Sequence, residues 1–147
     1  MDIKKVLDEL DKLFAEKRIG EVEIFLKGKL KEAEEADDYN SIITLVNELI
    51  GFYRVTSEFN NAIVYSDYII SLMENLELKN TIPFATTLLN VATAYRAAGK
   101  LEESLDFYEQ ILPIYTEKLP KNDYRLASLY NNMGLVYQEL NQHEKSF

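Results

Sequence analysis

The sequence contains no cysteine and is short of basic residues. Without cysteine the chain cannot form a disulfide, a thiolate metal site or a thiol nucleophile, and it has no need of an oxidising compartment. Lysine and arginine number 16 against 25 aspartates and glutamates, which gives a formal net charge of −9. Because duplex DNA and anionic membranes are both negatively charged, this balance argues against either as a partner and mildly favours a basic or neutral ligand.

Long apolar runs are also missing. The N-terminal segment MDIKKVLDELDKLF is charged in every turn and lacks the apolar core of roughly 7–15 residues that a signal peptide needs. No window approaches the run of about 18 apolar residues that a membrane-spanning helix requires. At 147 residues, 47% of them hydrophobic, the chain is long enough to bury one continuous core. We therefore predict one cytoplasmic domain that does not interact with a membrane.

Motifs that carry chemistry are absent as well. The sequence has no glycine-rich phosphate loop, no nucleophile elbow and no metal-ligand spacing. Adjacent carboxylates on a helix point about 100° apart and do not share a proton. This applies to the three acidic pairs Glu34–Glu35, Asp37–Asp38 and Glu102–Glu103. We therefore predict that the chain is not an enzyme and that it binds no cofactor and no metal.

The sequence repeats itself at a spacing of 42 residues, which aligns Tyr53, Tyr95 and Tyr137. The same register aligns further similar residues: Leu49, Val91 and Met133; Ile50, Ala92 and Gly134; Phe59 and Leu101; Ala62, Ser104 and Ser146; Ile63, Leu105 and Phe147. A fixed period in the range of about 20–50 residues is typical of stacked helical repeats. The single histidine, His143, aligns with Phe59 and Leu101, so we predict that it packs over a turn rather than acting in catalysis.

Apolar residues recur along the chain at the i, i+3, i+4 spacing of amphipathic helices. The pattern predicts about seven helices, in a divergent repeat over 1–39, repeats over 40–81 and 82–123, and a partial repeat over 124–147. The first pair matches the later ones at an offset of 39 or 40 residues. We expect Asn40 or Ser41 to cap the third helix and Thr81 to cap the fifth. Pro113 is expected to kink the sixth helix near Glu109 to Pro113, after which the helix resumes.

The last repeat is predicted to end differently from the others. We expect a turn at Asn141 and Gln142 and an eighth helix that begins at His143, one turn before the last residue. Helix seven would then lack its mate, so Val136 and Tyr137 should be more exposed than their counterparts. A helix pair buries its face only against a neighbour. This ending therefore favours a fragment of a longer array, or self-association through the open C-terminal end.

The repeated unit resembles the tetratricopeptide repeat (TPR). Counted from Ala85, the positions where that family has large, aliphatic, small and aromatic residues hold Leu88, Val91, Ala92, Tyr95, Ser104 and Tyr108. The usual unit has about 34 residues. The spacing of 42 and the segment 129–134 are similar to the longer repeats of kinesin light chains. The resemblance implies an all-α fold, a right-handed α–α superhelix.

The resemblance also implies a place for a ligand. In TPR proteins the first helix of each repeat (the A helix) lines a concave groove that binds a protein or peptide. Carried over position by position, the candidate peptide-binding residues are Asn47, Arg54, Asn90, Arg96, Asn131, Asn132 and Gln138. An asparagine amide both donates and accepts hydrogen bonds, which suits a peptide backbone, and the recurring arginines could hold a ligand carboxylate.

The same residues allow other interpretations. The asparagines could bond to neighbouring helices instead, and each arginine could form an intramolecular ion pair. The array could also be a peptide-sensing regulatory module, or the N-terminal scaffold domain of a larger enzyme.

Overall fold

The computed structural model describes the backbone of residues 1–145 and the side chains of residues 1–142. It contains seven α-helices, as predicted, and no strand occurs within residues 1–145. The helices are α1 (Ile3–Ala15), α2 (Val22–Glu35), α3 (Tyr39–Val55), α4 (Phe59–Asn75), α5 (Ile82–Ala97), α6 (Leu101–Lys118) and α7 (Tyr124–Lys145). A short 3-10 helix (Ile19–Glu21) connects α1 to α2, and α6 continues through Pro113.

Each helix packs against the next one along the chain, and α3 also packs directly on α5. This contact pattern is that of a solenoid, in which a repeat contacts mainly its neighbours. The largest fully buried side chains include Tyr53, Tyr108 and Tyr115. None of the helices within residues 1–145 combines the length and the apolar character needed to cross a lipid bilayer.

The positions that define the repeat lie in the core. In the unit that begins at Ala85, the six residues at the characteristic repeat positions are all buried: Leu88, Val91, Ala92, Tyr95, Ser104 and Tyr108. Ser104 Oγ donates a hydrogen bond to the Ala92 carbonyl oxygen at 2.7 Å. In this repeat the small side chains of Ala92 and Ser104 allow α5 and α6 to approach closely, whereas the preceding repeat has the larger Ile50 at the position of Ala92. The burial of these six residues is what the predicted register requires.

Five successive helices, α1 to α5, end in the same way. The second residue after each helix has a positive φ: Lys17, Asp37, Ser57, Glu77 and Gly99. The next amide N–H then donates to a carbonyl five residues back, as from Glu58 to Tyr53 at 2.8 Å. This is the Schellman closure, which satisfies carbonyls left open at a helix end. Gly99 was expected in this role, whereas the four non-glycine residues carry strain of about 1–2 kcal/mol each.

The start of α3 differs from the prediction. Asp38 is its N-cap and accepts from the Ser41 backbone N–H at 3.4 Å and from the Ser41 hydroxyl at 2.6 Å. The predicted caps were wrong, since Asn40 and Ser41 both lie inside the helix. A carboxylate directly before the helix meets the free amide groups of the first turn better than a side chain already inside it. Thr81 caps α5 as expected, with Pro83 in the first turn.

The C-terminal end also differs from the prediction. No turn forms at Asn141 and Gln142, because α7 continues without a break to Lys145, so an eighth helix does not begin at His143. The turns after α1 to α5 each contain a residue with a positive φ, and no residue from 124 to 145 adopts that conformation. The His143 side chain, Ser146 and Phe147 lie outside the described residues.

Tyr137 and Val136 of α7 were both expected to be exposed, and this is right only for Tyr137. Tyr137 is 50% exposed, against 0% for Tyr53 and 8% for Tyr95. Tyr53 stacks on Tyr65 of α4, and Tyr95 meets Phe107 of α6 edge to face. Tyr137 has no such second helix among the described residues. Val136, in contrast, is fully buried, because it belongs to the core formed where α7 packs on α6.

Candidate functional site

The predicted binding residues lie on the A helices α3, α5 and α7, and they differ in their surroundings. Four of them are half-buried and bonded to a neighbouring A helix: Asn47, Arg54, Asn90 and Arg96. Asn131 and Gln138 are exposed, and Asn132 is half-buried. Among the residues that the structure describes, these last three amides form no side-chain hydrogen bond. We call the surface formed by these seven residues the A-helix face.

Asn47 and Asn90 connect α3 to α5. Asn90 Nδ2 donates to the backbone oxygen of Asn47 at 2.9 Å and to its Oδ1 at 3.1 Å. Asn47 Nδ2 donates to the Ile43 carbonyl and to Thr87 Oγ1, both at 3.0 Å. The structure thus forms the inter-helix bonds that were the alternative interpretation of these asparagines. Both amide nitrogens are engaged, so a ligand would meet these side chains through their oxygen atoms.

The two arginines use different partners. Arg54 Nη1 donates to Asn90 Oδ1 at 3.3 Å, whereas Arg96 pairs with Glu139, with 2.9 Å from Nε to Oε1. The repeat explains the difference, because the position of Glu139 is occupied by Ala97 one repeat earlier. Arg54 therefore has no carboxylate to pair with at that position of α5, and it donates to the amide oxygen of Asn90 instead. The hydrogen bond to Glu139 raises the pKa of Arg96, which stays charged.

An apolar cleft of about 420 Å³ opens on the same side of the solenoid, between α1 and α3. Its lining residues are Phe14, Ile19, Glu48, Gly51, Phe52, Arg54, Val55 and Thr56. A second shallow cleft of about 340 Å³ lies between α3 and α5 and shares Glu48 with the first. Sequence reasoning missed the first cleft because Phe14 fits the apolar stripe of α1. The sequence did contain a signal for it: the 40-residue offset of the first repeat aligns Phe14 with Arg54, which places Phe14 on the A-helix face.

Glu48 stands where the two clefts meet. Although the side chain is exposed, partial desolvation by the cleft walls raises its pKa, and the charge of Asp11 raises it further. Neither Glu48 nor Asp11 forms an ion pair within the described part of the chain. This end of the A-helix face therefore carries two uncompensated carboxylates beside apolar walls.

Comparison with known proteins agrees with this architecture. A family model described as the tetratricopeptide repeat matches residues 83–147. No curated protein sequence matches the chain. Among solved structures, BtubC (BKLC) from P. vanneervenii superposes with a TM-score of 0.83 at 19% identity over 93% of this chain. The chain spans 55% of the length of BtubC.

A second solved structure contains the nearly identical TPR-like repeats of a kinesin light chain homologue from Podosopora anserina. It superposes with a TM-score of 0.84 at 14% identity, and the match covers 99% of this chain and 72% of that one. Identities this low establish the fold alone. Residues 83–147 therefore match the tetratricopeptide repeat family, and the chain as a whole has the fold of a TPR-like solenoid similar to kinesin light chain repeats.

Proposed function

We propose that this chain is a non-catalytic scaffold that binds a protein or peptide segment along the concave groove formed by its A helices. TPR repeats generally mediate protein–protein interactions, and the fold is typically non-catalytic. The observation that carries the proposal is that the A helices form one continuous surface. Side-chain bonds join α3 to α5 and α5 to α7, and two clefts meet at Glu48. A continuous surface of this kind is what an extended ligand requires.

The amides of the groove have two roles in this proposal. Asn47 and Asn90 hold adjacent repeats together and offer only acceptor oxygens to a ligand. Asn131, Asn132 and Gln138 keep donors and acceptors available, since an amide carries both. We therefore expect the α7 amides to form the sequence-independent contacts to a peptide backbone.

The test is affinity capture from lysate with wild type and with an Asn131→Ala/Asn132→Ala/Gln138→Ala variant. The matched control is Asn60→Ala/Asn61→Ala/Gln110→Ala, which removes three exposed amides from the second helices α4 and α6. Because all six amides lie at least partly at the surface, each substitution should change the free energy of unfolding by only about 0.5 kcal/mol. Circular dichroism and urea unfolding check that both variants keep the wild-type fold.

Partners that are lost with the α7 variant and retained with the control would support binding in the groove. Partners retained with both variants would contradict it and move the interaction to another face. A cytoplasmic location and the lack of a nucleic-acid or membrane partner belong to the same proposal. They are supported by the cysteine-free composition and by the net charge of −9.

Self-association through the α7 end is a second candidate, supported by one specific observation. Tyr130 and Tyr137 are 56% and 50% exposed, on the face where the earlier repeats are covered by a second helix. Sedimentation equilibrium would test it with Tyr137→Ser and with Tyr124→Ser, an exposed tyrosine at the other end of α7. A monomeric wild type at high concentration would rule this candidate out.

A further inference from the structure

The cleft between α1 and α3 is bordered by exposed apolar side chains. Phe14 and Ile19 form one wall and are 41% and 42% exposed, and Val55 on the opposite wall is 78% exposed. Gly51 forms the floor, and a Cβ added there would meet no atom within 4 Å. The cleft is therefore an open space of about 420 Å³ lined in large part by apolar side chains, enough for one bulky side chain.

The charges around the cleft are unbalanced. Glu48 on α3 lines the cleft, Asp11 lies on α1, and neither has an ion-pair partner among the described residues. The positive group at the rim is Arg54, which is directed toward Asn90 on α5, away from α1. A ligand that places its own cation over Glu48 would supply the missing counter-charge, in agreement with a chain whose net charge is −9.

The distance between Glu48 and the apolar wall determines how far apart the matching groups of a ligand must be. Glu48 and Phe52 are one helical turn apart on α3, a separation of about 6 Å. In an extended peptide, residues i and i+2 point to the same side and are about 6.6 Å apart. An apolar side chain and a cation two residues apart would therefore reach both features at once.

We propose that this cleft binds a partner segment in which a large apolar side chain lies two residues from a lysine or arginine. The apolar side chain enters between Phe14 and Val55, and the cation faces Glu48 and Asp11. This inference rests on the proposed peptide-binding function and adds the chemistry of the ligand. It predicts that a peptide with an acidic residue in place of the lysine or arginine binds less well.

The probes are three 12-residue peptides in a Gly/Ser background that carry Leu-Ser-Lys, Leu-Ser-Glu or Ser-Ser-Lys at the centre. Binding is followed by NMR titration of the labelled protein. We expect Leu-Ser-Lys to shift the amide signals of Gly51, Phe52 and Val55. Its affinity should be about tenfold higher than that of Ser-Ser-Lys, because the leucine is buried. It should exceed that of Leu-Ser-Glu by at least two- to fivefold at low salt.

Two variants test the cleft itself. A Cβ at Gly51 would meet no atom within 4 Å, so Gly51→Leu should place its side chain in the cleft and abolish most of the binding. A Cβ at Gly28 on α2 likewise meets no atom, and Gly28→Leu, outside the cleft, should leave the binding unchanged. Glu48→Gln should reduce the preference for lysine over glutamate about two- to fivefold. Urea unfolding verifies that all three variants are folded.

Three outcomes would overturn the inference: no binding of Leu-Ser-Lys, equal or tighter binding of Leu-Ser-Glu, or binding unaffected by Gly51→Leu. None of these would overturn the groove proposal, which is tested by the amides on α7. Loss of natural partners with the α7 variant, combined with a negative peptide result, would keep the groove and reject the cleft. Retention of those partners would reject the groove.

Discussion

The side chain of Asn90 donates to both the backbone and the side-chain oxygens of Asn47, at 2.9 and 3.1 Å. The two residues lie on α5 and α3, so these bonds join successive repeats. Thr87 and Arg54 complete the same network, and Thr87 is almost fully buried. The groups that were expected to face a ligand therefore join neighbouring A helices.

The Asn47–Asn90 pair should be measurably coupled. We expect Asn47→Ala and Asn90→Ala each to lower the free energy of unfolding by about 1–2 kcal/mol, because each leaves a half-buried partner unsatisfied. In a double-mutant cycle the coupling energy should be at least about 0.5 kcal/mol. Urea unfolding measures all four proteins. Asn131→Ala, at the equivalent but exposed position on α7, is the control and should change stability by less than about 0.5 kcal/mol. Additive effects of the two mutations would show that the bonds are not formed in solution.

The strained helix ends offer a stabilising substitution. Ser57 has φ of +62°, a conformation that glycine adopts without a Cβ penalty. Ser57→Gly should therefore raise the free energy of unfolding by up to about 1 kcal/mol. Ser71→Gly, in the exposed interior of α4, is the matched control and should lower it by a few tenths of a kcal/mol. If both substitutions destabilise the protein equally, the left-handed closure at Ser57 is wrong.

The close contact between α5 and α6 at Ala92 should not tolerate a larger side chain. Ala92 is fully buried, and its carbonyl accepts from the Ser104 hydroxyl. Ala92→Leu should overpack this contact and lower the free energy of unfolding by about 1–3 kcal/mol. The control is Ala97→Leu, which makes the same change at an exposed position on the same helix. An unchanged urea midpoint for Ala92→Leu would mean that the assigned repeat register is incorrect.

Stability should decline at alkaline pH because tyrosines are buried. Burial and the nearby charge of Asp67 raise the pKa of Tyr95 to about 12, and burial with a hydrogen bond to Glu34 raises that of Tyr68 to about 12. The unfolded chain loses these protons near pH 10. The stabilisation is therefore complete below pH 10 and is lost as the pH rises toward 12.

Urea unfolding between pH 9 and 12 measures this decline. Tyr95→Phe should make the fall in the free energy of unfolding less steep, since one linked proton is removed. Tyr124→Phe, which changes a tyrosine that is 79% exposed, is the control and should leave the slope as in wild type. A slope identical in all three proteins would contradict a raised pKa at Tyr95.

Several features could be derived from the sequence because they depend on local periodicity. Apolar residues spaced by three and four define one buried stripe on each helix, whatever that helix later packs against. The bounds of α4, α5 and α6 and the buried register from Leu88 to Tyr108 follow from that spacing. The 42-residue period adds the order of the helices, since a helix with one apolar stripe must lie beside a neighbour.

Other features are decided only in the tertiary structure. From the sequence, Asn47 could equally contact a ligand or bond to α5. Its bond with Asn90 forms only because the packed structure brings α5 next to α3. Phe14 fits an apolar stripe in sequence yet borders an open cleft, because α1 and α3 do not close against each other there. The sequence alone determined the helices, their spacing and their buried faces, through interactions within a few residues. The pairing of polar groups and the cleft depended on groups more than 30 residues apart, such as Asn47 and Asn90, whose distances only the packed chain sets.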